Sequence, residues 1–415
     1  MSWLTPKRAS MLLRRTHLDF QSVIDHRTYR GGHQLPLASL LRLLVLCFAC
    51  GQRKLRDAEA QSKQLNKTMR RYLGVSKSGV SDSALYEMLR NQLPYGFRQT
   101  VQAQLREDLD RKAIKNDLFK GPHGGVLSID GKGAGCHHGE LPNPKCQHTF
   151  LGPNAKPGWR LFVHRAALVS SSARPILDQD PLPDLVGEAT AFPVLFNRVV
   201  ETFPRLFGYV TADAGNTSAK NAWAVRAKDK HYIFAVKANH RRLYDAACAL
   251  LKDASVVAET TEQARGYSEL RQLRRCWVSP RSIRYPDALQ LWQVTRTRTP
   301  KHGEVLVGQR IYITSVPEDE LSPEQILQLI RLHWGIESSS NWTIDAILSE
   351  DTHSPCYKGY GPLIISWLNI LAYNLIAVFR AHSPRSEGFR KPWRQVLRAV
   401  AQVLTHGEVE PTTVG

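Results

Sequence analysis

Three carboxylates stand where a folded chain can bring acids together. Asp130 closes the apolar run Val126-Leu127-Ser128-Ile129-Asp130-Gly131-Lys132, and Asp213 closes Phe207-Gly208-Tyr209-Val210-Thr211-Ala212-Asp213-Ala214. Glu337 lies in a helix-like segment, Ile330-Arg331-Leu332-His333-Trp334-Gly335-Ile336-Glu337. An acid at the exit of a buried strand leaves the core where a loop opens to solvent. Two such strands with a helix beside them bring three acids to one point, where they repel unless a cation neutralises them. A hard divalent ion held by carboxylate oxygens, with positions left for phosphate, resolves that repulsion. Such a site can cut or join phosphodiesters. Singly, each acid has a plainer reading: Asp130 before glycine as a turn former, Glu337 as a solvated helix residue. Asp345, Glu350 and Asp351 compete for the third position.

The elements that must hold these acids follow from pattern. Residues 1–120 read as helical, with apolar Leu35–Cys50 ended by Gly51. A basic helix follows from Gln52 to about Leu73, carrying Arg53, Lys54, Arg56, Lys63, Lys67, Arg70 and Arg71. Leu55, Ala58, Leu65, Met69 and Leu73 form its candidate buried stripe. A glycine-containing turn and a capped helix from Ser83 to about Asn91 complete the outline of a helix-turn-helix at about 65–91, or equally a bundle with a solvated basic face. From Gly124 the pattern turns to strands at Val126–Asp130, Arg160–Val169, Pro175–Leu177, Tyr209–Ala212 and His231–Lys237, with helices at Asp184–Thr202 and Ser218–Lys228. This is an α/β layout. Residues 238–316 are β-rich, with strands at Leu273–Val278, Leu289–Thr295 and Val305–Thr314. Ser322-Pro323-Glu324-Gln325 is a capping box that starts the helix carrying Glu337.

Composition agrees with a polyanionic partner. The chain of 415 residues carries 56 Lys and Arg against 37 Asp and Glu, a net +19. Residues 1–120 hold 22 Lys/Arg and 10 Asp/Glu, a net +12, so the excess is local, as on a nucleic-acid-binding surface. With no apolar N-terminal leader in view, the expected compartment is the reducing cytosol. Cys47 and Cys50 lie inside an apolar run and read as small buried hydrophobes. Cys136, His137, His138, Cys146 and His148 form a looser cluster whose spacing fits no standard zinc knuckle. The 17-residue run Leu363–Phe379 is short for a membrane span and contains Ser366, Asn369, Tyr373 and Asn374, so it reads as a core helix. No dinucleotide or Gly-Lys-Ser/Thr phosphate loop is present: after Gly133 and Gly135, His138 stands where a third glycine would be needed.

The motifs resemble those of the DDE-type transposases of bacterial insertion sequences. Leu127-Ser128-Ile129-Asp130-Gly131-Lys132 is similar to that family's first-acid motif. Thr211-Ala212-Asp213-Ala214, with Thr217 four residues beyond the acid, is similar to the second. His333-Trp334-Gly335-Ile336-Glu337, then Asn341-Trp342, Asp345 and Ser349-Glu350-Asp351, is similar to the third-acid block of the branch with a β-rich insertion before it. The likeness runs from about residue 120 to 380.

The resemblance implies an α/β, ribonuclease-H-like catalytic core with a β-rich insertion, preceded by an all-helical basic DNA-binding domain. It implies division at 1–120, 121–237, 238–316 and 317–415. It implies Asp130, Asp213 and Glu337 as ligands of two Mg²⁺ or Mn²⁺ ions, with Asp130 bridging. The partners implied are inverted-repeat DNA ends and target DNA, with a homodimer in the DNA complex and no membrane. Lys132, Arg331, His333, Arg53, Lys54, Lys67, Arg70 and Arg71 are the candidate DNA contacts. The chain departs from the Tyr, Arg, Glu, Lys signature of many relatives: Ile330, His333 and Ile344 occupy the positions around Glu337. Trp334 is read as core, or as a stacking ring for a displaced base. A metal-dependent nuclease without strand transfer and a catalytically silent DNA-binding relative are the alternative functions.

Overall fold

The computed structural model describes residues 18–27, 35–152, 154–264, 266–383 and 391–406. Among the described residues its first five elements are helical, as the pattern predicts. Helix α1 (Leu37–Ala49) is buried along most of its length, and α2 (Leu55–Gln64) follows a short turn. The single basic helix expected from Gln52 to Leu73 is instead two. Leu65 takes extended backbone angles, and Asn66 restarts the helix by accepting from the Met69 amide at 2.8 Å. An asparagine that can cap outcompetes helix continuation at that point. Helix α3 (Lys67–Leu73) then ends on Gly74, at φ 67°, a left-handed cap that glycine adopts without strain. Ser81 caps α4 (Asp82–Asn91) through the Ala84 amide. The expected stripe of Leu55, Ala58, Leu65, Met69 and Leu73 is buried. Helix α5 (Phe97–Asp110) leads to the sheet.

One mixed ten-stranded sheet organises the rest. Strands β1 (Gly125–His138), β2 (Gln147–Leu151), β3 (Lys156–Leu168), β4 (Ile176–Pro181), β5 (Phe207–Ala212) and β6 (His231–Val236) build the first part. Strand β5 lies parallel between β1 and β6, while β3 is antiparallel to β1. The 238–316 region adds β7 (Val256–Ala264), β8 (Tyr267–Trp277), β9 (Gln290–Pro300) and β10 (Leu306–Thr314). It does not form a sheet of its own. Ile311–Thr314 of β10 pair with Val236–Ile233 of β6, so the insertion extends the core sheet in the order β2-β3-β1-β5-β6-β10-β9-β8-β7.

Every residue of β5 and β6 is buried, as are the first five of β1, so both faces at the sheet centre are covered. The cover comes from α6 (Glu188–Thr202), α7 (Ala219–Arg226), α9 (Pro323–His333) and α11 (Gly361–Ala381), with α8 (Arg241–Leu251) packed on the insertion. Helix α6 runs through Pro193 without ending. Among the described residues, α11 is the one helix long and apolar enough to cross a membrane, and its apolar window is wholly buried. It packs on α1, α4, α5 and β1, which makes it the core helix its polar interruptions suggested. Helices α10 (Trp342–Leu348) and α12 (Trp393–His406) complete the set.

Candidate functional site: a carboxylate cluster at the sheet centre

Parallel pairing sets the first two acids side by side. Ile129 of β1 lies opposite Ala212 of β5, so the next residues, Asp130 and Asp213, leave adjacent strands at the same level. Neighbouring strands are about 4.8 Å apart. Strand β1 does not turn at Gly131, as an isolated Asp-Gly would suggest, but continues to His138. The glycine leaves room for the Glu188 carboxylate, which a Cβ at this position would displace.

Asp213 is held by a local turn. The Gly215 amide (3.0 Å), the Asn216 amide (3.3 Å) and the Asn216 side chain (3.2 Å) all donate to its Oδ1. Thr217 donates its hydroxyl to the Asp213 carbonyl at 3.1 Å and to Ala235 of β6 at 2.7 Å, pinning the loop to the sheet.

The capped helix does not carry Glu337 as expected: α9 ends at His333, and Glu337 sits just past it in a π-helical segment, Ile336–Asn341. A π turn re-aims side chains relative to a regular helix and is frequent at functional sites. Asn341, at the end of that segment, donates its side-chain amide to Asp130 Oδ2 at 3.3 Å. Asp130 and Asp213 are partly buried, and Glu337 is exposed.

The electrostatics record the convergence. The Asp130 carboxyl is pushed up to about 8 by burial, and then by the charges of Glu337, Glu188 and Asp213. Burial raises Glu337 as well, and the Asp213 charge adds to it, while Arg310 and Lys237 pull it down. Excess negative charge in a partly desolvated place is what hard cations bind.

Glu188 is the acid that the sequence reading missed. It opens α6, and its Oε2 accepts from Asn216 at 3.0 Å, the amide that also serves Asp213. An acid in the first turn of a helix is common as a dipole partner, so nothing in one sequence sets it apart. Lys237, just past β6, and Arg310, on β10, were missed for a similar reason, as two cations among many others. Both are exposed near Glu337, and Arg310 stacks on the Trp334 ring 3.7 Å from its centroid. Trp334 therefore carries a guanidinium on its face.

Several expected DNA contacts are placed elsewhere. Lys132 is 7% exposed and its ammonium is enclosed by Asp345 and, at 3.1 Å, Glu350. His333 is buried, 3.3 Å from the Ser128 hydroxyl, and burial lowers its pKa to about 4. Neither side chain is free at the surface to meet a phosphate: Lys132 of β1 turns to Asp345 and Glu350, and His333 at the end of α9 packs against Ser128 of β1. Arg331 is exposed but pairs with Glu262 of β7 at 2.6 Å. Arg53 and Lys54, in the turn before α2, and Lys67 and Arg71, on α3, are exposed, and Arg70 is partly so. Arg53, Lys54, Arg56 and Tyr86 line a cleft of about 560 Å³ with His353 and Tyr357.

The loose Cys/His cluster does not assemble. His148 bonds Asp184 at 2.6 Å, His137 stacks on Tyr357, and Cys146 is buried alone in the core cluster. Cys50, half of the C-x-x-C pair, has its thiol pushed up to about 12 by burial, which suits an inert hydrophobe. Among the described residues, a different trio could coordinate a metal ion: His123, His231 and Glu320, with ligand atoms within 4.8 Å of one another. It lies at the opposite end of the parallel strands from Asp130 and Asp213. His231 opens β6 level with Tyr209, whereas Asp213 follows the last residue of β5.

The chain is 22% identical over 373 residues to the putative transposase YncI of Escherichia coli O157:H7, covering 86% of each chain. It also superposes on the piggyBac transposase of a synaptic complex with hairpin DNA, with a TM-score of 0.47, 12% identity, and coverage of 95% of this chain and 80% of that one. The family model "Transposase DDE domain" matches residues 121–375, more than half of the chain and the whole stretch that holds the acids, so the protein belongs to the DDE transposase family.

Proposed function

We propose that this chain binds the inverted-repeat ends of an insertion sequence, cleaves the DNA there and transfers the strands to a target. Asp130, Asp213 and Glu337 would hold two Mg²⁺ or Mn²⁺ ions, and Glu188 would add charge to the same cluster. The donor set fits: Asp130, Asp213, Glu337 and Glu188 come from four separate segments, and burial, then the charges of Glu337, Glu188 and Asp213, raise the Asp130 carboxyl, a crowding that a cation would relieve. When bound, the ions would activate water or a DNA 3′-hydroxyl and stabilise the leaving oxygen. The chain's own groups do the rest. Asn216 and the Asp213 turn fix one acid, Asn341 ties the Glu337 segment to Asp130, and Lys237 and Arg310 offer positive charge to the phosphates beside Glu337.

Exposed Arg53, Lys54, Lys67, Arg70 and Arg71 would contact the DNA ends from the N-terminal region. The working division is 1–120 for end binding, 121–237 and 317–415 for the catalytic core, and 238–316 for the insertion. Holding two ends together calls for a homodimer in the DNA complex, acting in the bacterial cytoplasm at the nucleoid.

The single observation that carries this reading is the meeting of acids from β1, the β5 exit and the π turn after α9, within a chain of the DDE family. Purified full-length protein, Mg²⁺ or Mn²⁺, and DNA bearing the element's terminal repeats should give cleaved ends and joined products, both abolished by chelator. Cutting without joining would make it a metal-dependent nuclease. End binding with neither step, under both metals, would make it a silent DNA-binding relative.

A further inference from the structure

His123, His231 and Glu320 come from three distant stretches: the turn before β1, the first residue of β6, and the turn before α9. Glu320 divides its carboxylate. Oε1 accepts from the Tyr209 hydroxyl at 2.5 Å, and Oε2 faces both imidazoles, 3.3 Å from His231 Nε2 and 3.5 Å from His123 Nε2.

Those separations are long for a charge-assisted hydrogen bond, which lies at about 2.7–2.9 Å. They match something else. Ligands about 2.0–2.1 Å from a tetrahedral ion lie about 3.3–3.5 Å from one another along each edge.

The outer contacts also suit coordination. His231 Nδ1 lies 2.9 Å from the Ser315 carbonyl, an acceptor only, and farther, 3.4 Å, from Arg226 Nη1; a proton on Nδ1 toward the nearer carbonyl leaves the Nε2 lone pair on the carboxylate side. A ring anchored through one nitrogen and a carboxylate anchored by a phenol are the usual supports of metal ligands. His123 is half exposed, which leaves an entry path and room for water as a fourth ligand.

We propose that His123, His231 and Glu320 form a binding site for one tetrahedral, Zn²⁺-class transition ion that braces the core away from the acid cluster. Two imidazoles and one carboxylate select a borderline ion over Mg²⁺ or Ca²⁺. The site is separate from the acids: Asp213 lies four residues along β5 from Tyr209, about 13 Å at the rise of a strand. Its ligands join the entry to β1, the start of β6 and the lead into α9, the three parts of the chain that must meet for the acids to converge. The inference does not depend on the transposition reading.

Full-length protein stripped with chelator is titrated with Co²⁺, an absorbing stand-in for Zn²⁺. The expected result is one equivalent giving the intense visible band of a tetrahedral ion, displaced by Zn²⁺, with a melting midpoint that rises with Zn²⁺. His123→Ala, at a half-exposed ring whose loss spares the core, should weaken Co²⁺ binding at least about tenfold, and Glu320→Gln likewise. Asp130→Asn should keep the band, because the acid cluster would give only a weak octahedral spectrum. Absence of the tetrahedral band in the wild type overturns the proposal, as does a band that survives both His123→Ala and Glu320→Gln. A melting midpoint indifferent to Zn²⁺ also overturns it and leaves the trio as a protonated ion pair.

Discussion

Asn341 and Asp130, 211 positions apart, are joined by a hydrogen bond of 3.3 Å from the Asn341 amide to Asp130 Oδ2. Through it the π turn that carries Glu337 is tied directly to the strand that ends its buried run at Asp130. The same region is fixed from behind, where Ser340 donates to the Arg174 carbonyl at 3.1 Å and accepts from the Tyr373 hydroxyl at 3.1 Å. Glu337 is thus exposed at its tip while its backbone is anchored, the combination a metal ligand needs to hold position and still reach an ion.

Asp130 should be the most costly acid to leave without a cation. Its pKa is raised from 3.8 to about 8, so the folded state binds a proton that the unfolded chain has released. Stability from this group is therefore full below about pH 4 and falls as pH rises toward 8. In chelator at pH 8, Asp130→Asn should be more stable than the wild type by on the order of 2 kcal/mol. Denaturation midpoints at pH 5 and pH 8 read this directly. The same variant should lose cleavage while retaining end binding in a gel shift. A wild type whose metal-free stability does not fall between those pH values contradicts the crowded cluster.

Much of this site was legible because strand exits are local features. Apolar runs ending in Asp130 and Asp213 are read from sequence alone, and parallel pairing then makes them neighbours. The capping box at Ser322 is likewise local, and it forms as expected. What one sequence could not show is which acids and cations approach from elsewhere. Glu188 reaches the site through the path of α6, and Lys132 is taken out of reach by Asp345 and Glu350, which lie more than 200 positions away. The break at Leu65-Asn66 was missed because the basic and apolar periodicity continues across it, although the backbone does not. The joining of β10 to β6 is a pairing choice that strand patterns do not encode.

Glu188 gives a graded prediction. It shares Asn216 with Asp213 but opens a helix, and burial is the main cause that raises its pKa. Glu188→Gln keeps the hydrogen bond to Asn216 and removes one charge. The Mg²⁺ concentration for half-maximal cleavage should rise roughly tenfold, within the range for supporting groups around a metal, with end binding unchanged. Cleavage lost at every metal concentration would instead make Glu188 an indispensable ligand.

The basic N-terminal helices should show themselves through salt. Each phosphate neutralised contributes a slope of about 0.9 in log K against log salt. Arg53→Ala with Arg71→Ala, both exposed, should reduce that slope by up to about 2 and weaken binding to repeat and random DNA. Lys132→Met should leave the slope unchanged, because its ammonium is enclosed by carboxylates. An unaltered slope in the double variant moves the DNA surface away from these helices.

Glu337 and Glu350 both fall in the third-acid block, but their surroundings assign them different tasks. Glu337 is exposed beside Asp130, whereas Glu350 is buried, with Oε1 2.7 Å from Arg165 and Oε2 3.1 Å from Lys132. Burial alone would raise the Glu350 carboxyl, but the Arg165 and Lys132 charges hold it at about 2. This acid is depressed, so its contribution to stability is present above the unfolded value of 4.5 and is lost as pH falls toward 2. Glu350→Gln leaves Arg165, fully buried, and Lys132 without their shared anion, which should cost about 3–5 kcal/mol. It should also flatten the acid limb of the stability curve between about pH 4.5 and 2. Glu337→Gln should do neither: its melting curve should follow the wild type, while Mg²⁺-dependent cleavage disappears. Thermal melts across pH and cleavage rates on the same preparations separate the two. A Glu350→Gln protein that melts normally yet cannot cut, beside a Glu337→Gln protein that still cuts, would exchange the roles assigned to these acids.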